Sequence, residues 1–384
     1  MALYGATGFT GALTANYLAR AAPGLRWALA GRNPTKLEAA RAGLAEIDPA
    51  LAEMPLIRAE AGDRLSMRAL AESSKVVIST VGPYSHYGEP IVAACAAAGT
   101  DYVDLTGEPE FVDRMWIRYH AEAERTGARL VHSCGFDSIP YDLGVLFTVD
   151  QMPESVPLKI QGFVRTNGKI SGGTFHSGVH ILSRVRQAAQ VARERRELEA
   201  DPPGRQIHGP LGRPHDVPTV GGWVVPLPSI DPQNVLSSAR KLDRYGPDFT
   251  YEHYLVVKRA VLVGAFTVGA GLGVALTQLA PTRDLLLKLM DPGDGPSAEQ
   301  RAKGSFNIRF HAEGGGERLA TEVSGGDPGY SETAKMLGES ALCLAHDELP
   351  ERAGQLTPAV AMGQALIDRL RAAEIKFAVV EGQR

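Results

Sequence analysis

Three glycines at three-residue spacing, Gly5, Gly8 and Gly11, follow the apolar run Ala2-Leu3-Tyr4 and precede a helical pattern over 10–22. That order of residue types suits an anion. The glycines let the backbone turn sharply and come close to a pyrophosphate. The helix N-terminus then turns N–H groups and a positive dipole end toward it. Gly5, Ala6, Thr7, Gly8, Phe9, Thr10 and Gly11 are therefore the expected pyrophosphate-binding residues. With 42 glycines in 384 residues the spacing alone is weak, and the flanking strand and helix raise it above a plain tight turn. A site that prefers NAD places Asp or Glu about twenty residues further on, to accept from the ribose 2′-hydroxyl. Here that place carries Gly31-Arg32-Asn33, with Lys36 one helical turn beyond. A guanidinium pairs with a 2′-phosphate where a carboxylate would repel it, so Arg32 and Lys36 point to NADP(H).

A second group of chemistry-bearing residues sits where later strands end. Strands are expected over 26–33, 56–63, 76–84, 101–105 and 129–133, separated by helices over 36–51, 65–73, 89–98 and 111–126. Alternation of this kind predicts a Rossmann-type, doubly wound parallel α/β sheet, with ligands along the C-terminal edge of its strands. Asp63, Val81 and Gly82 lie at that edge and are expected beside the cofactor. Tyr84, Asp137 and Tyr141 are the expected catalytic residues, since a phenol or carboxyl there could stack or deliver a proton. Each has a plainer alternative: Tyr84 as a packed aromatic and Asp137 as a cap on a helix beginning near Pro140. Asp104 and Glu108 form a further carboxylate pair, with Glu108 equally suited to a helix start. His176 and His180 have i, i+4 spacing but no third ligand in view, so no metal is expected. Cys134 beside His132 reads as a buried thiol.

The rest of the chain bounds these readings. A net charge of −4 excludes an electrostatic footprint for nucleic acid. Three well-separated cysteines, Cys95, Cys134 and Cys343, read as reduced thiols of a cytoplasmic protein, and no signal peptide precedes the glycine loop. The leading strand looks short. The first domain is expected over 1–144. A second, α+β domain with a mixed or antiparallel sheet is expected over 145–329, for substrate or dimerisation. It has strands over 158–166 and 249–257, a helix from 172 to about 198, a hairpin over 305–324 and a Pro- and Gly-rich surface excursion over 201–247. C-terminal helices and a strand over 330–384 return to the first domain. Ala260 to Ala280 holds no charged residue, with Lys258 and Arg259 before it and Arg283 after. A buried or homodimer-interface helix is the plain reading, and peripheral docking on a membrane the other, since glycines and polar groups argue against a span.

Together, the loop 4–11, Ala30-Gly31-Arg32, Val81-Gly82-Pro83-Tyr84 with Gly88, Asp101 to Glu108, and Cys134-Gly135-Phe136-Asp137-Ser138-Ile139-Pro140 resemble the saccharopine-dehydrogenase-like oxidoreductases, and within them the mycobacterial trans-acting enoyl reductases. Ser171-Gly172-Gly173-Thr174, Gly325 to Tyr330 and Leu356-Thr357-Pro358-Ala359 extend the resemblance to nearly the whole chain. It departs in the short N-terminus and the 201–247 segment. The resemblance implies NADP(H)-dependent reduction of a C=C bond in an acyl or polyketide lipid intermediate, carried by a partner protein, and contact with lipid surfaces. Three tasks then fall to the protein: placing the nicotinamide, stabilising an enolate oxygen and delivering a proton. Two rivals are a non-catalytic NADP-binding scaffold or redox sensor and an amino-acid dehydrogenase of the saccharopine type. Against the last, no cluster of arginines stands ready for several carboxylates.

Overall fold

Ala2-Leu3-Tyr4, Val76-Val77-Ile78-Ser79 and Asp101-Tyr102-Val103-Asp104 are buried along their whole length, which is what parallel strands need when helices cover both faces. A computed structural model describes residues 1–168, 172–257, 260–288 and 296–383. The chain opens with β1 (Ala2–Tyr4), α1 (Phe9–Ala21), β2 (Ala28–Gly31), α2 (Pro34–Ala45), β3 (Leu56–Arg58) and α3 (Arg64–Glu72). There follow β4 (Val76–Ser79), α4 (Tyr84–Tyr87), α5 (Glu89–Ala98), β5 (Asp101–Asp104), α6 (Pro109–Thr126) and β6 (Arg129–Val131). β1 is only three residues long, yet all three pair with β2 on one side and β4 on the other.

The middle of the chain forms α7 (Ile139–Asp150), β7 (Leu158–Thr166), α8 (Gly172–Ser183), α9 (Val185–Leu198), β8 (Gln206–His208), β9 (His215–Val217), β10 (Gly222–Pro226) and α10 (Asp231–Lys241). It continues through β11 (Asp248–Val257), α11 (Ala260–Gln278), α12 (Ala280–Leu287), α13 (Ala298–Ala302), β12 (Phe306–Gly314) and β13 (Glu317–Gly325). The 201–247 segment is thus not a bare surface excursion. Its strands are three to five residues long, too short to show a period, and Val224 and Val225 are buried. The helix expected from 172 to 198 breaks at Arg184. Ser171 of the quoted motif, and Lys258 and Arg259 ahead of α11, lie outside the described residues.

The chain closes with α14 (Ser331–His346), β14 (Gly354–Leu356), α15 (Pro358–Ala361), α16 (Gly363–Ala372) and β15 (Lys376–Gln383). Two units result, 1–136 with 330–373 and 137–329 with 374–384. The boundary falls ahead of α7 rather than at residue 144, because α7 packs on β12, β13 and α10. A Cβ at Gly144 would sit 2.5 Å from the Phe310 ring, which shows how closely that helix rides on the sheet.

The first unit holds a seven-stranded, all-parallel sheet in the order β14-β6-β5-β4-β1-β2-β3. Helix α14 packs on α1 and over β4 and β5, and Gly338 permits the approach, since a Cβ there would meet Tyr17 at 2.7 Å. The second unit has an eight-stranded mixed sheet along β15-β13-β12-β7-β11-β10-β9, with β8 beside β11. In β12 the buried residues Phe306, Ile308, Phe310 and Ala312 alternate with more exposed ones, as in a sheet covered on one face.

Candidate cofactor and proton-transfer sites

The glycine loop turns where β1 ends. Gly5 has φ +90°, a left-handed conformation that favours glycine, and its N–H donates to Ala30 O at 2.9 Å. Gly8 N–H donates to Gly5 O at 3.0 Å, and α1 begins at the next residue. A Cβ at Gly11 would lie 2.1 Å from Gly5 O, so the helix can press against the loop only with glycine there. The Thr80 hydroxyl donates to Tyr4 O and Gly5 O, both at 3.2 Å, and pins the loop to the end of β4. Ala6 is buried, Thr7 and Phe9 are exposed and Thr10 is half-buried. Gly8 offers no side-chain cap and the first turn of α1 holds no acid, so the positive end of the helix is uncompensated from within. This cradle, closed to any side chain at position 11, fits a pyrophosphate.

The adenosine end follows from sheet register. β2 ends at Gly31, and the exposed Arg32 and Lys36 flank the Asn33 cap of α2, which accepts from Lys36 N at 3.1 Å. Gly31 registers with Arg58, the last residue of β3 and also exposed. Two guanidiniums therefore stand at adjacent strand ends, a set that fits a 2′-phosphate. Arg58 is missed in the sequence, where its only signal is an arginine closing a short apolar strand. Asp63 caps α3, its Oδ1 accepting from Leu65 N at 3.0 Å and Ser66 N at 3.3 Å. Val81 is half-buried, Gly82 is exposed, and the Gly82–Pro83 peptide is cis.

Tyr84, one of the expected catalytic residues, is held inside the fold. Its hydroxyl donates to Ser79 O at 2.9 Å and accepts from Leu105 N at 3.2 Å, so it ties β4 to the segment after β5. Burial, then the charge of Asp104, lifts its pKa well above the ordinary range, and its proton is held. Glu108 accepts from Tyr84 N at 2.8 Å and Ser85 N at 3.0 Å and so anchors α4. Asp104 accepts from Thr106 N and Ser133 N and meets His132 Nδ1 at 2.7 Å, a buried clamp between β5 and the end of β6. Cys134 is a buried thiol that donates to Val131 O.

Asp137 and Tyr141 belong to the second unit. Asp137 is exposed, whereas Tyr141 is buried, with its pKa raised by burial and then by Asp231 and Asp137. Asp137 does not cap α7: the N-cap is Ser138, which accepts instead from Asn234 of α10 at 2.8 Å. Ser238 donates to the fully buried Asp142 at 2.5 Å, a second tie between the two helices. Tyr141 meets His253 edge to face, and His253 meets Asp231 and Tyr251. Asp231, Tyr251 and His253 are absent from the sequence-based reading, because they reach Tyr141 only through folding of α10 and β11. No group of metal-ligating side chains occurs among the described residues, His176 and His180 included. An open cavity of about 520 Å³ lies on the sheet face opposite α7. Its Arg165 and Arg309 are engaged, donating to Val220 O and Thr219 O.

Residues 1–131 match the saccharopine dehydrogenase NADP-binding domain. Over 405 residues the chain is 39% identical to a putative trans-acting enoyl reductase of Mycobacterium tuberculosis, covering 98% of this chain and 96% of that one. The chain belongs to the trans-acting enoyl reductase family. A trans-acting enoyl reductase of Mycobacterium ulcerans is 36% identical over 400 residues, covering 96% and 94% of the two chains. A saccharopine dehydrogenase (L-Glu forming) of Saccharomyces cerevisiae shares the fold, with TM-score 0.58, 13% identity and 99% of both chains covered. Family membership makes the chain an NADP(H)-dependent oxidoreductase, and the cradle and paired arginines fit that cofactor. Among the described residues no helix is long and apolar enough to cross a membrane.

Proposed function

We propose that this protein is a trans-acting enoyl reductase that reduces a C=C bond conjugated to a thioester in a polyketide or lipid chain presented by a partner. The observation that carries the reading is the tight glycine turn at Gly5–Gly11, where a Cβ at Gly11 would meet Gly5 O, in a chain similar to such reductases over nearly its full length. The loop and the α1 N-terminus hold the pyrophosphate, while Arg32, Arg58 and Lys36 hold the 2′-phosphate. Val81 and Gly82 border the nicotinamide half, glycine allowing close approach. Bound NADPH supplies the hydride. Asp137 and Tyr141 serve proton delivery; Tyr84 and Asp63 are left to structural roles.

The test incubates purified protein with NADPH and a panel of enoyl thioesters and follows loss of reduced cofactor. Turnover is expected. Tight NADPH binding with no turnover on any thioester overturns the reading in favour of a non-catalytic scaffold, and turnover on glutamate–aldehyde adducts favours an amino-acid dehydrogenase.

A lipid substrate also suits the outer surface of α11 and α12. Leu272 of α11, Leu279 ahead of α12 and Leu285 within α12 are 57%, 62% and 64% exposed. Lys258, Arg259, Arg283 and Lys288 flank the charge-free stretch. We propose that these helices rest on an anionic lipid surface.

A further inference from the structure

The face of the mixed sheet turned away from α7 carries the open cavity of about 520 Å³. Every residue that lines it belongs to the second unit. Sheet register brings these residues together. Phe163 of β7 stands opposite Arg309 of β12, Arg165 stands opposite Asn307, and Arg309 in turn stands opposite Glu322 of β13. Val256 of β11 and the turn Pro218–Gly221 complete the lining. Both guanidiniums fasten that turn: Arg165 donates to Val220 O, and Arg309 donates to Thr219 O at 3.1 Å. Gly221 closes it at φ +67°, a conformation that favours glycine. The floor is firm, because the Phe163 ring stacks on Tyr254 at 5.7 Å between centroids and is buried with Val220 and Val224.

On β7, β12 and β13 the basic side chains of this face stand beside carboxylates, with one exception. Lys159 meets Glu252 at 3.5 Å, Arg318 meets Glu313 at 3.2 Å and Arg309 meets Glu322 at 3.6 Å. Arg165 has no carboxylate partner among the described residues. A guanidinium has five N–H donors, and Val220 O takes one of them. Directly across the ladder, the Asn307 side-chain amide has no hydrogen-bond partner among the described residues. Side chains opposite each other on one face have Cβ atoms about 5 Å apart, so an oxyanion placed between these two can accept from both. Phe163, Val220 and Val256 offer apolar surface in the same cavity. Two guanidiniums and one carboxylate leave the lining with a single net positive charge. That suits a monoanion, whereas a phosphate monoester would bring close to two negative charges toward Glu322. The volume is that of a small-molecule site.

We propose that this cavity binds a small organic monocarboxylate with a short apolar body. The carboxylate accepts from the Arg165 fork and the Asn307 amide, and the apolar body lies along Phe163, Val220 and Val256. The site belongs to the second unit and the cofactor cradle to the first, so it does not depend on the reaction proposed above.

The full chain is titrated with hexanoate, acetate, 1-hexanol and hexyl phosphate, followed by calorimetry and by the rise in melting temperature. Hexanoate should bind, and each of the others should bind at least about tenfold more weakly, for want of the charge, the apolar contacts or the right charge number. Arg165→Met should abolish hexanoate binding while the protein still melts cooperatively. Asn307→Asp leaves both ties to the 218–221 turn in place and supplies a carboxylate from within. It should abolish binding too, without lowering the melting temperature, and it decides alone if Arg165→Met fails to fold. The proposal is overturned if hexanoate does not bind the wild type, or if hexanol binds as well as hexanoate. It is equally overturned if Asn307→Asp keeps hexanoate affinity within about threefold, which would place the ligand elsewhere. Tighter binding of hexyl phosphate than of hexanoate overturns the assignment to a monocarboxylate.

Discussion

A methyl group at residue 11 would lie 2.1 Å from the Gly5 carbonyl oxygen, and that oxygen cannot withdraw because it already accepts from Gly8 N–H. Gly11→Ala is therefore expected to abolish NADPH binding, measured by fluorescence titration, while the second unit still unfolds cooperatively. Arg32→Glu should weaken NADPH by roughly ten- to a hundredfold, the worth of a charged hydrogen-bonding pair, with little change for NADH. Equal loss for both cofactors would refute the assignment of Arg32 to the 2′-phosphate. Tyr84→Phe strands Ser79 O and Leu105 N, so it should cost about 1–3 kcal/mol of stability and leave kcat of the folded enzyme near normal. A large loss of kcat without loss of stability would return Tyr84 to the chemistry. These sites differ in legibility. Gly5 and Gly11 can be read from the chain because backbone geometry itself dictates the residue. Arg58 cannot, since its meaning comes from registering with Gly31 across a sheet. Asp231 and His253 cannot either, since each looks like an ordinary helix-start acid or strand histidine until α7 covers them.

At the scale of elements, the parallel sheet is visible in the chain because strands buried on both faces are apolar throughout and the helices between them are long. β14 is not, being three residues set between helices, and neither are β8 and β9. Helices α11 and α12 carry their own prediction. Replacing Leu272 and Leu285 together with Glu should abolish co-sedimentation with anionic vesicles and spare NADPH binding. Retained sedimentation would move the lipid contact elsewhere. Helices α14 and α16 are joined through Arg369, which donates to Asp347 at 2.7 Å and Glu339 at 3.2 Å, while Tyr17 of α1 donates to Glu339 at 2.6 Å. Hydrogen bonding from Arg369 holds the Asp347 carboxyl below its usual range. A depressed folded value means that this stability is whole above the ordinary carboxylate pKa and drains away as pH falls through the lower one. The melting-temperature gap between wild type and Arg369→Met should therefore hold down to about pH 5 and narrow below about pH 4. A gap independent of pH would show that Arg369 acts by packing alone.

At the scale of the whole molecule, the chain passes from the first unit to the second after Phe136, back at Tyr330, and out again after Ala373. The seventh strand of the first sheet, β14, and the covering helix α14 both come from the late segment. Lys75 Nζ donates to Ala345 O, and Arg129, paired with Asp101, donates to Leu344 O at 2.9 Å, so early and late segments are knitted by polar ties as well as packing. This braid fixes an order of events on the ribosome. When Phe136 emerges, the strands that carry the glycine loop have been made, but the face that α14 will cover lies bare. The cofactor unit cannot close until the intervening 137–329 segment has been synthesised, and the edge strand β15 of the other sheet arrives later still. Through most of its translation, then, the nascent protein displays an apolar sheet face awaiting its own C-terminal helices, and in that interval chaperones have the most to hold.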